Sequence, residues 1–385
     1  MQKSFDEINE KIQSGKVVVV TAEEVVAMAA EQGVEKTAQQ VDVVTCATFG
    51  AMCSSGAFIN FGHSDEPIRM AKVSLNDVPL CAGLAAVDAF IGATELSDTQ
   101  GMNYGGAHVI SDLIAGKRMH LKAWSYGTDC YPKTDIDTYI DIHSVNQAYM
   151  FNPRNCYQNY NAATNSTERM LHTYMGALLP NLGNVTYSTS GELSPLLKDP
   201  ELRTIGVGTR IFMGGAQGYV AWQGTQHVSN VQPVSGGVNQ YSGGTLALIG
   251  DMKQMNPRYV RGATMEGYGV TMFMGVGIPV PVLDADLLAQ LAVPNRLLFT
   301  DVYDYSVPSR SRPTFCKVSY EQLRSGSIEL NGKKTPTSPL SSLKMAREIA
   351  QLLKDQIARG EFLLQAPIQA LPKDNVNQSL KEVEA

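Results

Sequence analysis

Two helices that each open on a capping box, with short β-branched runs between and after them, constrain this chain more than any other feature. Ser4 with Glu7, and Thr21 with Glu24, place a hydroxyl three residues before a carboxylate, so that side chains and backbone satisfy each other's free amides. Gly15 and Gly33 supply the stops. Residues 17–20 are a continuous β-branched run and 41–45 are rich in valine, the composition of buried strands. Strands separated by helices pair in parallel through crossovers. The expected class is therefore α/β, with mixed, largely parallel sheets flanked by helices.

Further along, residues 70–80 read as a hairpin turning at Asn76-Asp77, since Asn and Asp tolerate the positive φ of a tight turn. Strand-like runs follow at 121–126, 136–142, 204–207, 218–222 and 245–249. Residues 339–359 predict a C-terminal helical appendage, with Ser338 as N-cap, Pro339 at N1, Gly360 past the end, and Leu343, Ala346, Ala350, Leu353 and Ile357 on one face. From Gln365 the chain mixes charge with prolines and lacks a period, as a docked or frayed tail would. No internal repeat or linker divides the rest, so residues 1–364 read as one unit and 365–385 as a tail.

Composition excludes several functions. With 44% hydrophobic and 18% charged residues there is ample material for a core, and a net charge of −6 leaves no basic footprint for nucleic acid. The start, MQKSFDEINEKIQ, has no apolar signal region. Residues 270–283 fall short of the roughly 18 apolar residues of a membrane span and are broken by Gly275, Gly277, Pro279 and Pro281. Six cysteines spread through a long chain do not make a disulfide framework, so a cytoplasmic protein with reduced thiols is expected.

Familiar short motifs fail. There is no Walker A loop, no G-x-S-x-G elbow and no H-E-x-x-H; Gly206-Val-Gly208 and Gly275-Val-Gly277 lack the third glycine of a dinucleotide fingerprint and read as sites of tight turns or close backbone packing. Without paired Cys/His spacing no metal site is expected, although Cys46, Cys53 and His63 could converge on one. Cys81 and Cys316 sit in apolar or strand-like contexts and read as structural, Cys46 as ambiguous, and Cys156 lies in a polar stretch that could line a site.

Cys53 and Cys130 differ from these. Cys53 lies in GAMCSSGAF, within the small-residue loop 47–67, where Gly50 and Gly56 permit backbone amides to face an anion. Cys130 lies in SYGTDCYPK, directly after the 121–126 run, with Lys133 able to favour its thiolate and Asp129 to oppose it, unless Asp129 serves the turn. Loops at strand carboxyl ends are where α/β sheets bind ligands. Two thiols in such loops suggest dithiol or persulfide chemistry.

At these residues the sequence resembles a known family. TFGAMCSSGAFINFGHSDEPI (48–68), YGTDCYP (126–132), NPRNCYQNYNAATNS (152–166), MGALLPNLGNVTYS (175–188) and GDMKQMNPRYVRGAT (250–264) are similar to the homocysteine biosynthesis family of anaerobic archaea and bacteria, over roughly residues 5–364. The resemblance implies an L-aspartate semialdehyde sulfurtransferase with Cys53 and Cys130 as its two functional cysteines, Cys130 carrying the persulfide. Aldehyde, sulfide, two electrons and two protons would give homocysteine and water. Sulfide would open a Cys53–Cys130 disulfide, the Cys130 persulfide would add to the aldehyde, and Cys53 would release the product. With no tightly bound cofactor visible, the electrons are expected from an external donor; the resemblance implies a ferredoxin-type iron–sulfur protein, often with a NIL domain. Some members carry CBS domains, which this chain is expected to lack.

The substrate requires an anchor for its α-carboxylate and a proton donor for its aldehyde oxygen. Arg154 is the candidate anchor, because a guanidinium grips a carboxylate through two parallel bonds; bonding to backbone carbonyls is its alternative role, and Arg210 and Arg261 are runners-up. His63 is the acid–base candidate, unless it only organises its loop through Asp65. Asn161 and Asn165 would orient polar groups or form turns. A second functional reading is a non-catalytic persulfide carrier serving a separate enzyme, and a homo-oligomer is compatible with either.

Overall fold

A computed structural model describes residues 2–155, 160–228, 244–309, 311–373 and 375–381. Both capping boxes form and start the helices Phe5–Gln13 and Ala22–Gln32. The strands beside them, Val19–Thr21 and Val43–Ala51, pair in parallel with Val19 opposite Val43. The mixed α/β class holds, with helix Leu343–Ala358 near the C-terminus. The balance of pairing does not follow the expectation. Among the described residues parallel pairing recurs between Ala162–Thr164 and Phe299–Asp304 and between Val185–Tyr187 and Lys333–Pro339, and the other strand pairs are antiparallel. Beyond the first crossover the chain mostly joins strands by short turns, as in Arg210–Met213 with Ala216–Gln223 and Val260–Met265 with Gly269–Pro281. Such hairpins are antiparallel by construction.

The largest sheet has ten strands. Its order runs 19–21, 43–51, 269–281, 210–213, 216–223, 246–251, 147–155, 56–60, 88–92, with 260–265 also on 269–281. Six strand spacings, about 29 Å in a flat sheet, separate 43–51 from 56–60. Residues 52–55 alone connect them, and that link reaches at most about 18 Å. The sheet therefore curls until its two sides approach. Helix Gly106–Ile114 sits in the closing gap: Ala107 N–H donates to Ala93 O (2.9 Å) beyond strand Asp88–Gly92, and the backbone of His108 lies against Gly262 on the other side. A core of Ile59, Ile91, Ile110, Leu113, Met272 and Met274 fills the interior.

Helix 343–358 covers the outer face with Ala346, Ile349, Ala350, Leu353 and Ile357 buried. Ile349 and Leu353 rest where Gly275 and Gly277 have no side chains, the close packing expected of that Gly-Val-Gly. The helix starts later than the sequence suggested. Ser342, not Ser338, is the N-cap, and Pro339 ends strand Lys333–Pro339, whose pairing with Val185–Tyr187 and Ser327–Leu330 claims the segment. Residues 204–207 also do not form a strand; Val207 alone bridges to Gln369, which docks the tail as far as the buried Leu371.

Among the described residues a four-stranded sheet, a six-stranded sheet and two two-stranded ones (171–173 with 176–178, and 96–97 with 101–105) complete the molecule. The four-stranded sheet (135–140, 119–124, 72–75, 78–80) carries the expected hairpin, with Asn76 at φ 49° and Asp77 at φ 60°. The six-stranded sheet (314–319, 299–304, 162–164, 185–187, 333–339, 327–330) abuts the carboxyl end of strand 43–51. There Ser342 N–H donates to Phe49 O (2.9 Å) and Ser190 Oγ to Thr48 Oγ1 (3.4 Å). Among the described residues no helix is long and apolar enough to cross a membrane.

Candidate active site

The expected loop 47–67 is divided: strand 43–51 continues to Ala51, a four-residue turn carries Cys53, and strand Gly56–Asn60 follows. The turn is tied down on all sides. Met52 N–H donates to Met272 O (2.6 Å), Ser54 Oγ to Arg154 O (3.2 Å), and Asn152 Nδ2 to Ser55 Oγ (2.6 Å). Cys53 is thereby fixed, half-buried, where the curled sheet meets the six-stranded one.

Burial pushes the Cys53 thiol above its ordinary value, opposed by the positive charge of Arg154 and by the backbone N–H groups of Cys53 and Ser54. Arg154 is held by Nε donating to Thr225 Oγ1 (3.1 Å) and Nη1 to Gln226 Oε1 (2.8 Å). Next in the chain, His227 is 2% exposed and takes the Thr245 N–H at Nδ1 (2.9 Å), while its Nε2 has no partner among the described residues.

Four tyrosines form a wall that reaches this thiol through Tyr268. Tyr268, in the turn between 260–265 and 269–281, has its phenol pushed up by burial, by the charge of Cys53 and by Tyr174. The Tyr174 ring lies 6.2 Å from Tyr268, 5.7 Å from Tyr305 and 6.3 Å from Tyr160. The Tyr174 and Tyr305 hydroxyls are 3.2 Å apart, and Asn161 Nδ2 donates to Tyr305 Oη (3.4 Å). Burial pushes the Tyr305 phenol up, with Tyr174 adding to the shift. Arg312 stacks on Tyr305, 4.1 Å from the ring centroid. Sequence reasoning named Asn161 but missed the four tyrosines and Arg312, because they come from separate turns and share no motif.

Cys130 occupies a different place. It is exposed in the turn between strands 119–124 and 135–140, with Sγ 3.6 Å from Thr128 Oγ1. This turn packs on the chain beyond Asn60: the rings of His63 and Tyr131 stack at 6.1 Å, and Lys133 N–H donates to Pro67 O (3.3 Å). The Cys53 turn precedes Gly56, so the two thiols stand at opposite ends of strand 56–60, about 14 Å of strand. The structure brings Cys53 together with Arg154, and His63 together with the Cys130 turn.

The other candidates are placed as follows. Asn161 joins the tyrosine wall. Asn165 is buried and bonds the carbonyls of Arg169, Leu178 and Leu179, organising its loop. Arg210 Nη1 donates to Leu363 O (3.1 Å) at the chain's C-terminal passage, and Arg261 is exposed on strand 260–265. Cys46 is mid-strand and fully buried, its thiol raised to about 12 by burial. Cys81 is exposed rather than packed away, Cys316 is half-buried, and Cys156 lies outside the described residues. Among the described residues no three His, Cys, Asp or Glu side chains gather as metal ligands would.

Fold and site together define a mixed α/β protein built around a half-buried thiol, a guanidinium beside it and a wall of phenols. That arrangement suits sulfur chemistry on a small polar substrate. The chain belongs to the family described as homocysteine biosynthesis enzyme, sulfur-incorporation, whose model matches residues 17–364. It is 53% identical to the L-aspartate semialdehyde sulfurtransferase of Methanosarcina acetivorans, over all of this chain and 75% of that one. It is 49% identical to the protein of the same name from Methanocaldococcus jannaschii, over 96% of this chain and 74% of the relative. An uncharacterized protein of Methanothermobacter thermautotrophicus is 30% identical over 85% of the chain and 73% of its own length. No solved structure matches.

Proposed function

We propose that the chain is an L-aspartate semialdehyde sulfurtransferase that makes L-homocysteine. The observation that carries this reading is the fixed Cys53–Arg154 pair, in a chain similar along its whole length to relatives of that name. The overall change consumes the aldehyde, hydrogen sulfide, two electrons and two protons, and yields homocysteine and water.

In the proposed cycle the exposed Cys130 takes the incoming sulfur as a persulfide. Its outer sulfur adds to the aldehyde carbon; loss of water and entry of two electrons and two protons leave a mixed disulfide between Cys130 and the product. The Cys53 thiolate attacks the Cys130 sulfur, releasing homocysteine and forming a Cys53–Cys130 disulfide. Sulfide opens that bond and restores the persulfide. A disulfide needs Cα atoms within about 7 Å. The Cys130 turn, from the same or a second copy of the chain, therefore travels to the Cys53 site once per cycle. Arg154 favours the Cys53 thiolate during attack. The electrons come from a low-potential iron–sulfur protein of ferredoxin type, and the reaction takes place in the cytoplasm.

Purified chain incubated without oxygen with L-aspartate semialdehyde, sulfide and a strong artificial reductant tests the reading. Homocysteine formed without any partner protein supports it. A chain that accumulates persulfide but makes homocysteine only when another enzyme is added is a carrier, and the proposal fails.

A further inference from the structure

We infer that Arg312 is the carboxylate anchor of this site, the group that selects an amino-acid aldehyde over an aldehyde without the acid. This rests on the proposed substrate. Among the described arginines Arg154, Arg210, Arg312 and Arg324 are half-buried, while Arg203 is exposed. Arg203 is paired with Asp284, and Arg324 donates to Ser190 O and faces Glu192. Arg210 is bonded to Leu363 O, and Arg154 to Thr225 and Gln226. Arg312 makes no hydrogen bond or ion pair with any described residue, and its Nε is buried without a partner.

Arg312 is half-buried, and its Nε–H, withdrawn from water, is unfavourable until an acceptor completes it. Arg312 is supported only through its face, by the ring of Tyr305 at 4.1 Å. Stacking occupies the face and leaves the in-plane N–H groups free, so Arg312 keeps the parallel fork that grips a carboxylate. Arg154, expected from the sequence to be the anchor, has Nε and Nη1 already engaged and retains no free Nε edge. The two arginines thus divide the work, Arg154 serving the sulfur and Arg312 the acid. The rings of Tyr305, Tyr174 and Tyr268 run in successive contacts from Arg312 back toward the thiol.

The test uses two unreactive alcohols, L-homoserine and 3-aminopropan-1-ol, which differ by the carboxylate alone. Calorimetry on the full chain should show wild type preferring L-homoserine, and Arg312→Gln should lose about thirtyfold or more of its affinity for homoserine with little change for the amino alcohol. Arg312→Lys should fall between, because an ammonium keeps the charge without the fork. Turnover should show a raised KM for L-aspartate semialdehyde, while sulfide still loads Cys130 as in wild type. Unaltered homoserine binding in Arg312→Gln, or equal loss for both alcohols in both folded variants, overturns the inference. Failure of wild type to make homocysteine would overturn the proposed function instead, leaving the alcohol comparison to decide on Arg312.

Discussion

Replacing Arg154 by Gln removes a full positive charge that opposes the effect of burial on Cys53. An opposite charge beside a thiol favours its thiolate, and for a half-exposed pair such as this one the attraction is on the order of 1.4 kcal/mol, a tenfold effect on an equilibrium. At neutral pH the thiolate fraction of Cys53 would then fall about tenfold. A more basic thiolate is also a better nucleophile; with a Brønsted slope of about 0.4–0.5 it regains about threefold. The net expectation at neutral pH is a rate about threefold lower, and above both pKa values a plateau about threefold higher. The assay is alkylation by iodoacetamide, followed on the Cys53 peptide by mass spectrometry across the pH range where thiols titrate. Arg154→Lys, which keeps the charge, should stay near the wild-type profile. Superimposed profiles for wild type and Arg154→Gln, or a lysine variant as shifted as the glutamine one, would refute the assignment of Arg154 to the thiolate.

Asp42 is 1% exposed and accepts from Lys3 Nζ (3.0 Å), Lys11 Nζ (2.6 Å) and Val18 N–H (3.0 Å). Burial pushes its pKa up, but these bonds outweigh it and hold the carboxyl below its ordinary value. Its contribution is therefore complete above the unfolded value near 3.9 and is lost as pH falls through the folded one. Asp42→Asn should cost about 3 kcal/mol in urea unfolding at neutral pH, with a smaller difference in acid; equal stability at neutral pH would count against the network. Gly262→Ala would set a β-carbon 2.6 Å from the backbone of His108, so a loss of about 1–3 kcal/mol is expected, and wild-type stability would contradict the close docking of helix 106–114.

Local chemistry was legible in the sequence wherever neighbouring residues complete one another. Ser4 with Glu7, Thr21 with Glu24 and the Asn76-Asp77 turn all form as read. Ser338-Pro339 misled because a helix start and a strand end share those residues, and distant pairing with 185–187 decided between them. The antiparallel majority was hidden for the same reason, since strand 43–51 meets a partner more than two hundred residues away. Within the site, Cys53 stood out by its small neighbours, and Arg154 by its polar surroundings. The tyrosine wall left no signal: Tyr160, Tyr174, Tyr268 and Tyr305 meet only where three separate sheets come together. His63 looked close to Cys53 in sequence, yet a strand extends between them and puts it with the Cys130 turn.

The path of the sulfur atom is the most direct test of the account. Radiolabelled sulfide should be given, without oxygen, to wild type, Cys53→Ser and Cys130→Ser, together with L-aspartate semialdehyde and a strong reductant. Wild type should release labelled homocysteine. Cys53→Ser, which cannot form the disulfide that sulfide opens, should not load label from sulfide, but should hold label supplied as polysulfide on the Cys130 peptide as persulfide or mixed disulfide. Cys130→Ser should neither load label from sulfide nor release labelled homocysteine. Labelled homocysteine released by Cys130→Ser at the wild-type rate would contradict the proposed route.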